Sequence, residues 1–404
     1  MFAIVLPVFF VFFQSSCAQA GPALPVSVST DVDQILPGAS NMEAYLPLLR
    51  NKRVALLINQ TSTIGRVHLL DTLIRSKINV VKVFVPEHGF RGTADAGAHI
   101  KSSIDKATGL PVISLYGDNK KPKKEQLEDV DVVIYDLQDV GARFYTYISS
   151  LEYLMEACAE QGKTLLVLDR PNPNGHYVDG PVLEESSRSF VGMQKIPVVY
   201  GMTAGEYAGM LAGEKWVGNA AKLSMTVIPC GNYDHSKRYS LPVAPSPNLR
   251  TMEAIYLYPS LCFFEGTVVS VGRGTPYPFQ QWGHPQYKGI YQYAFTPRSG
   301  AGASKPVLEG QASYGMLIAT NPDSAYALMA DRLNLSWLIE AYKNYPDKQK
   351  FFNNFFEKLA GTKKLKKQIE EGMTEAQIRK TWEQDLNAFK SVRKKYLLYP
   401  DFTD

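Results

Sequence analysis

The segment Pro86-Glu87-His88-Gly89 places a carboxyl group directly after the apolar, β-branched run of residues 80–85. Such a run predicts a strand buried on both faces, so Glu87 is expected at the strand's carboxyl end, on the floor of a cleft. A carboxyl group partly removed from water retains its proton more firmly, as a general acid needs in order to protonate a leaving oxygen. Glu87 is therefore the leading catalytic candidate; the structural alternative is a pair with Arg91 or a cap on the next loop.

Polar side chains also follow two further apolar runs. Asp136, Gln138 and Arg143 come after one of them, and Asn172 lies in the stiff turn after the next. Ligands of parallel sheets bind at the edge where the strands' carboxyl ends meet, so we expect these side chains near Glu87. Asp136 is predicted to be the second catalytic group, with Glu265 as the alternative, and Arg143 is predicted to bind an anionic substrate group bidentately. Gln138 and Asn172 are predicted to bind substrate. An internal Asp–Arg pair that shapes the loop is the alternative interpretation.

Four other side chains complete the predicted site. His88 is expected to bind substrate or to orient Glu87, unless it is a satisfied structural histidine. In the C-terminal half, Asn248, Glu265 and Arg273 are candidates for closing over the ligand. No metal is expected, because no two of the six histidines are four residues apart.

The elements that must position these residues alternate along the chain. Apolar runs predict strands at residues 54–58, 80–85, 112–115, 132–135, 165–168, 197–200 and 223–228. Helical patterns lie at residues 67–76, 145–161 and 203–214, the last with Thr203 as N-cap and Glu206 three residues later. This alternation predicts an α/β fold, a Rossmann-like, doubly wound and mostly parallel sheet. The later chain, aromatic-rich and then Lys-rich, predicts a second, smaller α+β domain with a strand within residues 261–271.

The N-terminus predicts export. Residues 2–13 are almost wholly apolar and lead to Ala18-Gln19-Ala20, which is typical of a secretory signal cleaved after residue 20. A periplasmic or secreted protein is therefore expected, with membrane attachment only if Cys17 is lipidated. We predict a signal peptide over residues 1–20, a Rossmann-like domain over 21–231, and an auxiliary domain over 232–404 that closes the cleft.

Composition and missing motifs exclude several classes of function. The 404-residue chain has 43 basic and 39 acidic residues, a balance that does not indicate a nucleic-acid partner. It contains neither GxxxxGK[ST] nor GxGxxG, so no nucleotide cofactor, and no cofactor of another kind, is expected. An esterase or amidase would need an activated nucleophile, and the chain has no GxSxG elbow.

Six motifs in series resemble those of the exo-β-N-acetylmuramidases of the NamZ type. They include Pro-Glu-His-Gly-Phe-Arg-Gly at residues 86–92 and Tyr-Asp-Leu-Gln-Asp-Val-Gly-Ala-Arg-Phe-Tyr-Thr-Tyr at residues 135–147. The others span residues 168–173, 245–248, 264–267 and 271–275. The resemblance implies a Rossmann-like domain with a smaller auxiliary domain and a site in the cleft between them. It also implies exo-acting release of N-acetylmuramic acid from non-reducing ends of peptidoglycan fragments, with Glu87 as the proposed catalytic residue.

The implied substrate suits the charged residues of the predicted cleft. N-acetylmuramic acid carries a lactyl carboxylate on O3, and Arg91, Arg143 or Arg273 would supply the matching cation. The alternative function is a non-catalytic periplasmic binding protein for cell-wall saccharides, which would bind sugar without turnover.

Overall fold

The protein is described by a computed structural model that covers residues 33–90 and 102–402. The predicted signal peptide, Cys17 and Arg91 lie outside the described residues. The strands are β1 (Val54–Ile58), β2 (Thr63–Ile64), β3 (Val67–His68), β4 (Val80–Val85), β5 (Ser103–Ile104), β6 (Pro111–Ser114), β7 (Val132–Asp136), β8 (Thr164–Leu168), β9 (Ser224–Ile228), β10 (Gln281–His284), β11 (Tyr293–Phe295) and β12 (Ser313–Leu317).

The helices alternate with these strands at first and then dominate the C-terminal part. They are α1 (Met42–Leu49), α2 (Leu69–Arg75), α3 (Lys124–Leu127), α4 (Tyr147–Gln161), α5 (Ala204–Gly213), α6 (Met252–Leu261), α7 (Pro322–Leu328), α8 (Ser336–Asn344), α9 (Lys348–Phe351), α10 (Phe356–Ala360), α11 (Lys364–Glu370), α12 (Glu375–Lys380) and α13 (Glu383–Arg393). None of the helices in the described ranges is long and apolar enough to cross a membrane.

The main sheet has seven strands in the order β5-β6-β4-β1-β7-β8-β9. All neighbours pair in parallel except β5, which pairs antiparallel with β6 at one edge. Every residue of β1 and β7 is buried, because helices cover both faces of a parallel sheet. The alternation of side chains along β1 shows the two faces: Ala55 and Leu57 join the larger core, and Leu56 joins the smaller one. The predicted Rossmann-like fold is confirmed.

The smaller part contains an antiparallel sheet in the order β10-β12-β11 and most of the later helices. Its aromatic residues form the interior: Trp282 is fully buried and stacks on Phe264, with ring centroids 5.5 Å apart. The predicted α+β character of this part is confirmed. Residues Ile35–Asp404 form one compact unit.

Two predicted strands are wrong. Residues 197–200 make only isolated bridges, from Val199 to Ala142 and Asp179, because Pro197 lacks the N–H that a central strand must donate. The run at residues 261–271 begins at the end of α6 and continues as the 3₁₀ helix Cys262–Gly266. Its apolar side chains serve a helical turn, since a short apolar run does not by itself distinguish strand from helix.

The start of α5 follows the sequence signal closely. The Thr203 hydroxyl accepts a hydrogen bond from the Glu206 N–H, and the Glu206 carboxylate accepts one from the Thr203 N–H. This reciprocal capping box satisfies two backbone donors that a helix start would otherwise leave unpaired. The predicted N-cap is confirmed.

Candidate active site

Glu87 lies in a tight turn immediately after β4. Pro86 ends the strand, and the turn closes through a hydrogen bond from the Gly89 N–H to the Pro86 carbonyl, 3.1 Å long. His88 adopts a φ of 70° and Gly89 one of 73°, a left-handed conformation that is uncommon for a histidine. This turn directs Glu87 and His88 into a cavity of about 660 Å³, which both residues line.

Two hydroxyl groups hold the Glu87 carboxylate. The Tyr116 hydroxyl donates to Oε1 and the Thr146 hydroxyl donates to Oε2, each over 3.0 Å. Burial, and then the neighbouring Glu87, raises the pKa of Tyr116, so its phenol keeps the proton that it donates. Glu87 itself is only half-buried. Its carboxyl group is therefore held from two sides and still faces the cavity.

The positions of these two hydroxyls follow from the fold. Tyr116 comes two residues after β6, at the same sheet edge as Glu87. Thr146 occupies the N-cap position of α4 but makes no side-chain cap of that helix, because its hydroxyl is used by Glu87. A threonine at an N-cap ordinarily satisfies a helix N–H, and here that bond is replaced by one to the cavity carboxylate.

The opposite wall of the cavity comes from the C-terminal half of the chain. Glu265 lies in the 3₁₀ helix after α6, and its Oε1 pairs with Arg273 Nε at 2.6 Å. The other oxygen, Oε2, faces the Cys262 sulfur at 3.6 Å. Burial raises the pKa of Cys262 well above its ordinary value, so this residue is a thiol that donates to Glu265. Both carboxylate oxygens of Glu265 are thus engaged.

Aromatic and apolar side chains provide most of the remaining surface. The aromatic ones are Tyr116, Phe144, Tyr145, Phe190, Tyr258, Phe264, Phe279 and Phe355. Polar side chains other than those described above are few: Ser246, Thr267, Ser270, Ser304, Lys305 and Asn353. A concave, largely apolar site with a few convergent polar groups is typical of small-molecule and saccharide sites.

The structure brings four of the predicted site residues together: Glu87, His88, Glu265 and Arg273 all line the cavity. Asn248 stands behind it, where its amide donates to the carbonyl of Gly302, a lining residue, at 2.8 Å. Asn248 therefore supports the wall and is not itself part of the lining.

Asp136 is not in the cavity, contrary to its predicted role as second catalytic group. Its carboxylate is completely buried and forms a two-point ion pair with Arg170, Oδ1 to Nε at 2.5 Å and Oδ2 to Nη2 at 2.9 Å. Burial lowers the pKa of Arg170, but Asp136 outweighs that effect and the pKa rises. The alternative interpretation, an internal Asp–Arg pair, therefore applies to Asp136, with Arg170 as the partner in place of Arg143.

Arg143 does not bind an exposed anion, because it is fully buried. Its guanidinium donates to four carbonyls over 2.8 to 3.0 Å, those of Pro181, Ile196, Leu359 and Ala360. Burial lowers the pKa of Arg143 to about 9. The side chain joins the loop before α4 to the end of α10, and no ligand reaches it.

Gln138 and Asn172 also face inward. The Gln138 amide donates to the carbonyls of Asp139 and Pro171 at 2.9 and 2.8 Å. The Asn172 amide donates to the Met202 carbonyl at 2.8 Å. Both are buried and absent from the cavity lining. They shape the turns after β7 and β8, so their predicted substrate contacts are wrong.

Tyr116, Thr146 and Lys305 are among the polar residues of the cavity that the sequence analysis did not predict. Tyr116 carried a usable signal, since it follows an apolar run at the same sheet edge as Glu87. Thr146 lies inside the motif of residues 135–147, but the predicted helix of residues 145–161 gave it no role of its own. Lys305 is exposed in a loop and carried no signal in the sequence.

Two family models match successive parts of the chain. Residues 54–253 match the family model described as exo-β-N-acetylmuramidase NamZ, N-terminal, and residues 256–399 match its C-terminal counterpart. The chain is 37% identical over 395 residues to the peptidoglycan β-N-acetylmuramidase NamZ of Bacillus subtilis, covering 92% of this chain and 91% of that protein.

Two crystal structures of DUF1343 family proteins from Bacteroides fragilis have the same fold. One is 47% identical with a TM-score of 0.84, and the other is 27% identical with a TM-score of 0.75. Each alignment covers 91% of this chain and 99% of the solved chain.

Proposed function

Because the chain belongs to the exo-β-N-acetylmuramidase NamZ family, we propose that it hydrolyses the glycosidic bond of N-acetylmuramic acid at the non-reducing end of peptidoglycan fragments. The observation that carries the proposal is the placement of Glu87. Its carboxyl group is half-buried, held by two hydroxyls and directed into a cavity of about 660 Å³ with aromatic walls. Such a cavity has the size and composition of a site for a small saccharide.

Glu87 acts as the general acid in this proposal. Its proton passes to the glycosidic oxygen as the bond to the anomeric carbon breaks, and the positive charge that develops on the sugar ring is oxocarbenium-like. Water completes the hydrolysis by adding its oxygen to the anomeric carbon and releasing a proton. The carboxylate left behind accepts the hydroxyls of Tyr116 and Thr146, which stabilise its new charge. The hydroxyls therefore need not move as the proton leaves.

Glu265 has a different role from Glu87. Its two oxygens contact Arg273 and Cys262, so it is engaged as a partner of Arg273. Among the cavity-lining residues that the structure describes, Glu87 and Glu265 are the two with carboxyl groups. Glu87 is therefore assigned the proton transfer, and Glu265 is assigned the orientation of the Arg273 guanidinium.

The protein is also proposed to act outside the cytoplasm, on the strength of the apolar N-terminal segment followed by Ala18-Gln19-Ala20. Peptidoglycan fragments are found there, which agrees with the proposed substrate. Mass spectrometry of the mature N-terminus would test this: cleavage after residue 20 supports export, and an intact Met1 contradicts it.

One experiment tests the activity. The purified protein is incubated with a peptidoglycan digest and with a chromogenic β-N-acetylmuraminide, and the released sugar is identified by mass spectrometry. Free N-acetylmuramic acid supports the proposal. Tight sugar binding without release would instead identify a binding protein, and release of acetate or peptide would identify an esterase or amidase.

A further inference from the structure

We propose that Arg273 is the residue that selects N-acetylmuramic acid, by binding the carboxylate of its lactyl group. The inference rests on the proposed function and names the part of the substrate that this side chain recognises. N-acetylmuramic acid differs from N-acetylglucosamine by the lactyl ether on O3. A cation placed beside that ether distinguishes the two sugars.

The Arg273 side chain is fixed before any ligand arrives. It lies between Gly272 and Gly274, whose φ angles of 78° and 77° are left-handed. A Cβ at Gly274 would stand 2.3 Å from the Arg298 carbonyl oxygen, so this tight turn requires glycine. The turn holds the arginine in one place along the cavity wall.

Two contacts then orient the guanidinium group. The Glu265 carboxylate accepts a hydrogen bond from Arg273 Nε at 2.6 Å, and the guanidinium lies over the Phe279 ring, with Cζ 4.8 Å from the ring centroid. Burial lowers the pKa of Arg273, but Glu265 outweighs that effect and the pKa rises. A charged guanidinium held at Nε and across one face presents its far edge to the cavity.

That far edge has no partner within the protein's described residues. Nη1 and Nη2 of Arg273 donate to no acceptor in residues 33–90 or 102–402, and the side chain is 21% exposed. These two nitrogens form the fork that matches a carboxylate bidentately. The arrangement is therefore a preformed receptor for one carboxylate.

The other charges around the cavity favour an anion. Lys305 lines the rim and forms no ion pair with the residues that the structure describes. Arg273 and Lys305 are the two basic side chains among the described lining residues, and Glu265 pairs with Arg273. The Lys305 ammonium therefore adds a second positive charge to this lining, which suits a sugar acid better than a neutral sugar.

Of the two other arginines expected to supply this cation, Arg91 lies outside the described residues and Arg143 does not line the cavity. Arg143 is sealed inside the protein by four carbonyls. Arg170 is completely paired with Asp136. Arg273 is the arginine that lines the cavity among the described residues.

The test uses two chromogenic substrates of the same shape. One is a β-N-acetylmuraminide, and the other is the same glycoside with its lactyl carboxyl converted to a carboxamide. The wild-type protein is expected to prefer the carboxylate in kcat/KM by roughly 10- to 100-fold, the range of a hydrogen-bonded charge pair. Arg273→Gln should reduce the preference to about 1, and Arg273→Lys should keep part of it because a point charge replaces the fork.

Arg238→Gln is the matched control. Arg238 also pairs with a carboxylate, Asp323 at 2.8 Å, and also lies over an aromatic ring, Tyr326 at 4.3 Å, but it does not line the cavity. It should leave the preference unchanged. An Arg273→Gln variant that loses activity equally on both substrates, or keeps the wild-type preference, would overturn the proposal.

A binding measurement separates this inference from the proposed function. If wild-type protein hydrolyses neither glycoside, the hydrolase proposal fails, and calorimetry with free N-acetylmuramic acid and its carboxamide still tests Arg273. Tighter binding of the carboxylate that disappears in Arg273→Gln supports the inference. Equal binding of the two sugars by the wild-type protein contradicts it.

Discussion

At the scale of single residues, the main feature is the carboxyl group of Glu87, which is held by hydrogen bonds and still faces the cavity. Each carboxyl oxygen of Glu87 accepts one hydrogen bond from a hydroxyl, one from Tyr116 and the other from Thr146. The Tyr116 and Thr146 hydroxyls are neutral donors, whereas the carboxylate of Asp136 pairs with the charged guanidinium of Arg170. A carboxyl group that must gain and lose a proton is better served by hydroxyls than by a guanidinium.

Removing the Tyr116 hydroxyl is therefore expected to slow the reaction without unfolding the protein. Tyr116→Phe loses one hydrogen bond to Glu87 and keeps the ring, so kcat should fall about 10-fold while KM and the unfolding midpoint change little. Steady-state kinetics on a chromogenic muraminide measures the effect.

Tyr153→Phe is the control for this variant. The Tyr153 ring stacks on Phe190 with centroids 6.1 Å apart, and the Tyr116 ring lies 6.1 Å from the same Phe190. No hydrogen bond of the Tyr153 hydroxyl is found in the described part of the chain, so removing this hydroxyl should leave kcat unchanged. Equal effects of the two variants would show that the Tyr116 hydroxyl does not assist Glu87.

At the scale of elements, the sheet edge explains both the success and the failure of sequence reasoning. Apolar runs located β1, β4, β7 and β8, because strands buried on both faces have a distinctive pattern. The rule that ligands bind beyond the strands' carboxyl ends pointed to Glu87, which lines the cavity. It failed for Asp136, Gln138 and Asn172, because polar residues at that edge also satisfy one another and the backbone.

Which polar cluster faces the ligand depends on contacts between segments far apart in the chain. Asp136 pairs with Arg170, and Arg143 meets carbonyls more than 200 residues away, at Leu359 and Ala360. Such partners leave no trace in local spacing. The predicted division of the chain after residue 231 likewise stays a prediction.

Arg143 gives a prediction at this scale, because it fastens two elements together. Arg143→Met keeps an unbranched side chain without the guanidinium and leaves four buried carbonyls without donors. The free energy of unfolding should fall by roughly 3 kcal/mol or more, measured by denaturant unfolding. Arg250→Met, at an exposed arginine with one long bond to the Thr275 carbonyl (3.3 Å), should change it by less than about 0.5 kcal/mol. Equal unfolding midpoints for the wild-type protein and Arg143→Met would contradict this role.

At the scale of the whole molecule, buried carboxyl groups make stability depend on pH. Burial raises the pKa of Asp139 and of Glu152 to about 7, and that of Asp169 to about 6. A carboxyl group whose pKa is raised by folding stabilises the fold while it is protonated, and that contribution is lost as the pH rises through the folded pKa. The protein should therefore be more stable near pH 5 than near pH 8.

Glu152 allows this to be tested at one position. It is fully buried on α4, where Gln194 donates to it at 2.6 Å and Tyr207 and Arg188 lie at 3.5 and 3.6 Å. Glu152→Gln removes the titration and keeps the shape. Its free energy of unfolding should exceed that of the wild-type protein by up to about 3 kcal/mol at pH 8, with a smaller difference at pH 5.

The exposed Glu128 provides the control, since Glu128→Gln should show no such pH dependence. Denaturant unfolding of the three proteins at both pH values measures the effect. A difference between Glu152→Gln and the wild-type protein that stays constant from pH 5 to pH 8 would contradict the assignment.

Proton donation by Glu87 is tested most directly by measuring how the loss of activity in Glu87→Gln depends on the leaving group. A general acid matters most when the departing oxygen is basic, and little when it leaves readily as an anion. For a glycan or a weakly acidic phenol, kcat/KM of the variant should fall by roughly 10²- to 10⁴-fold. For a dinitrophenyl muraminide the fall should be far smaller. A loss of the same factor for every leaving group, or no loss at all, would contradict proton donation by Glu87.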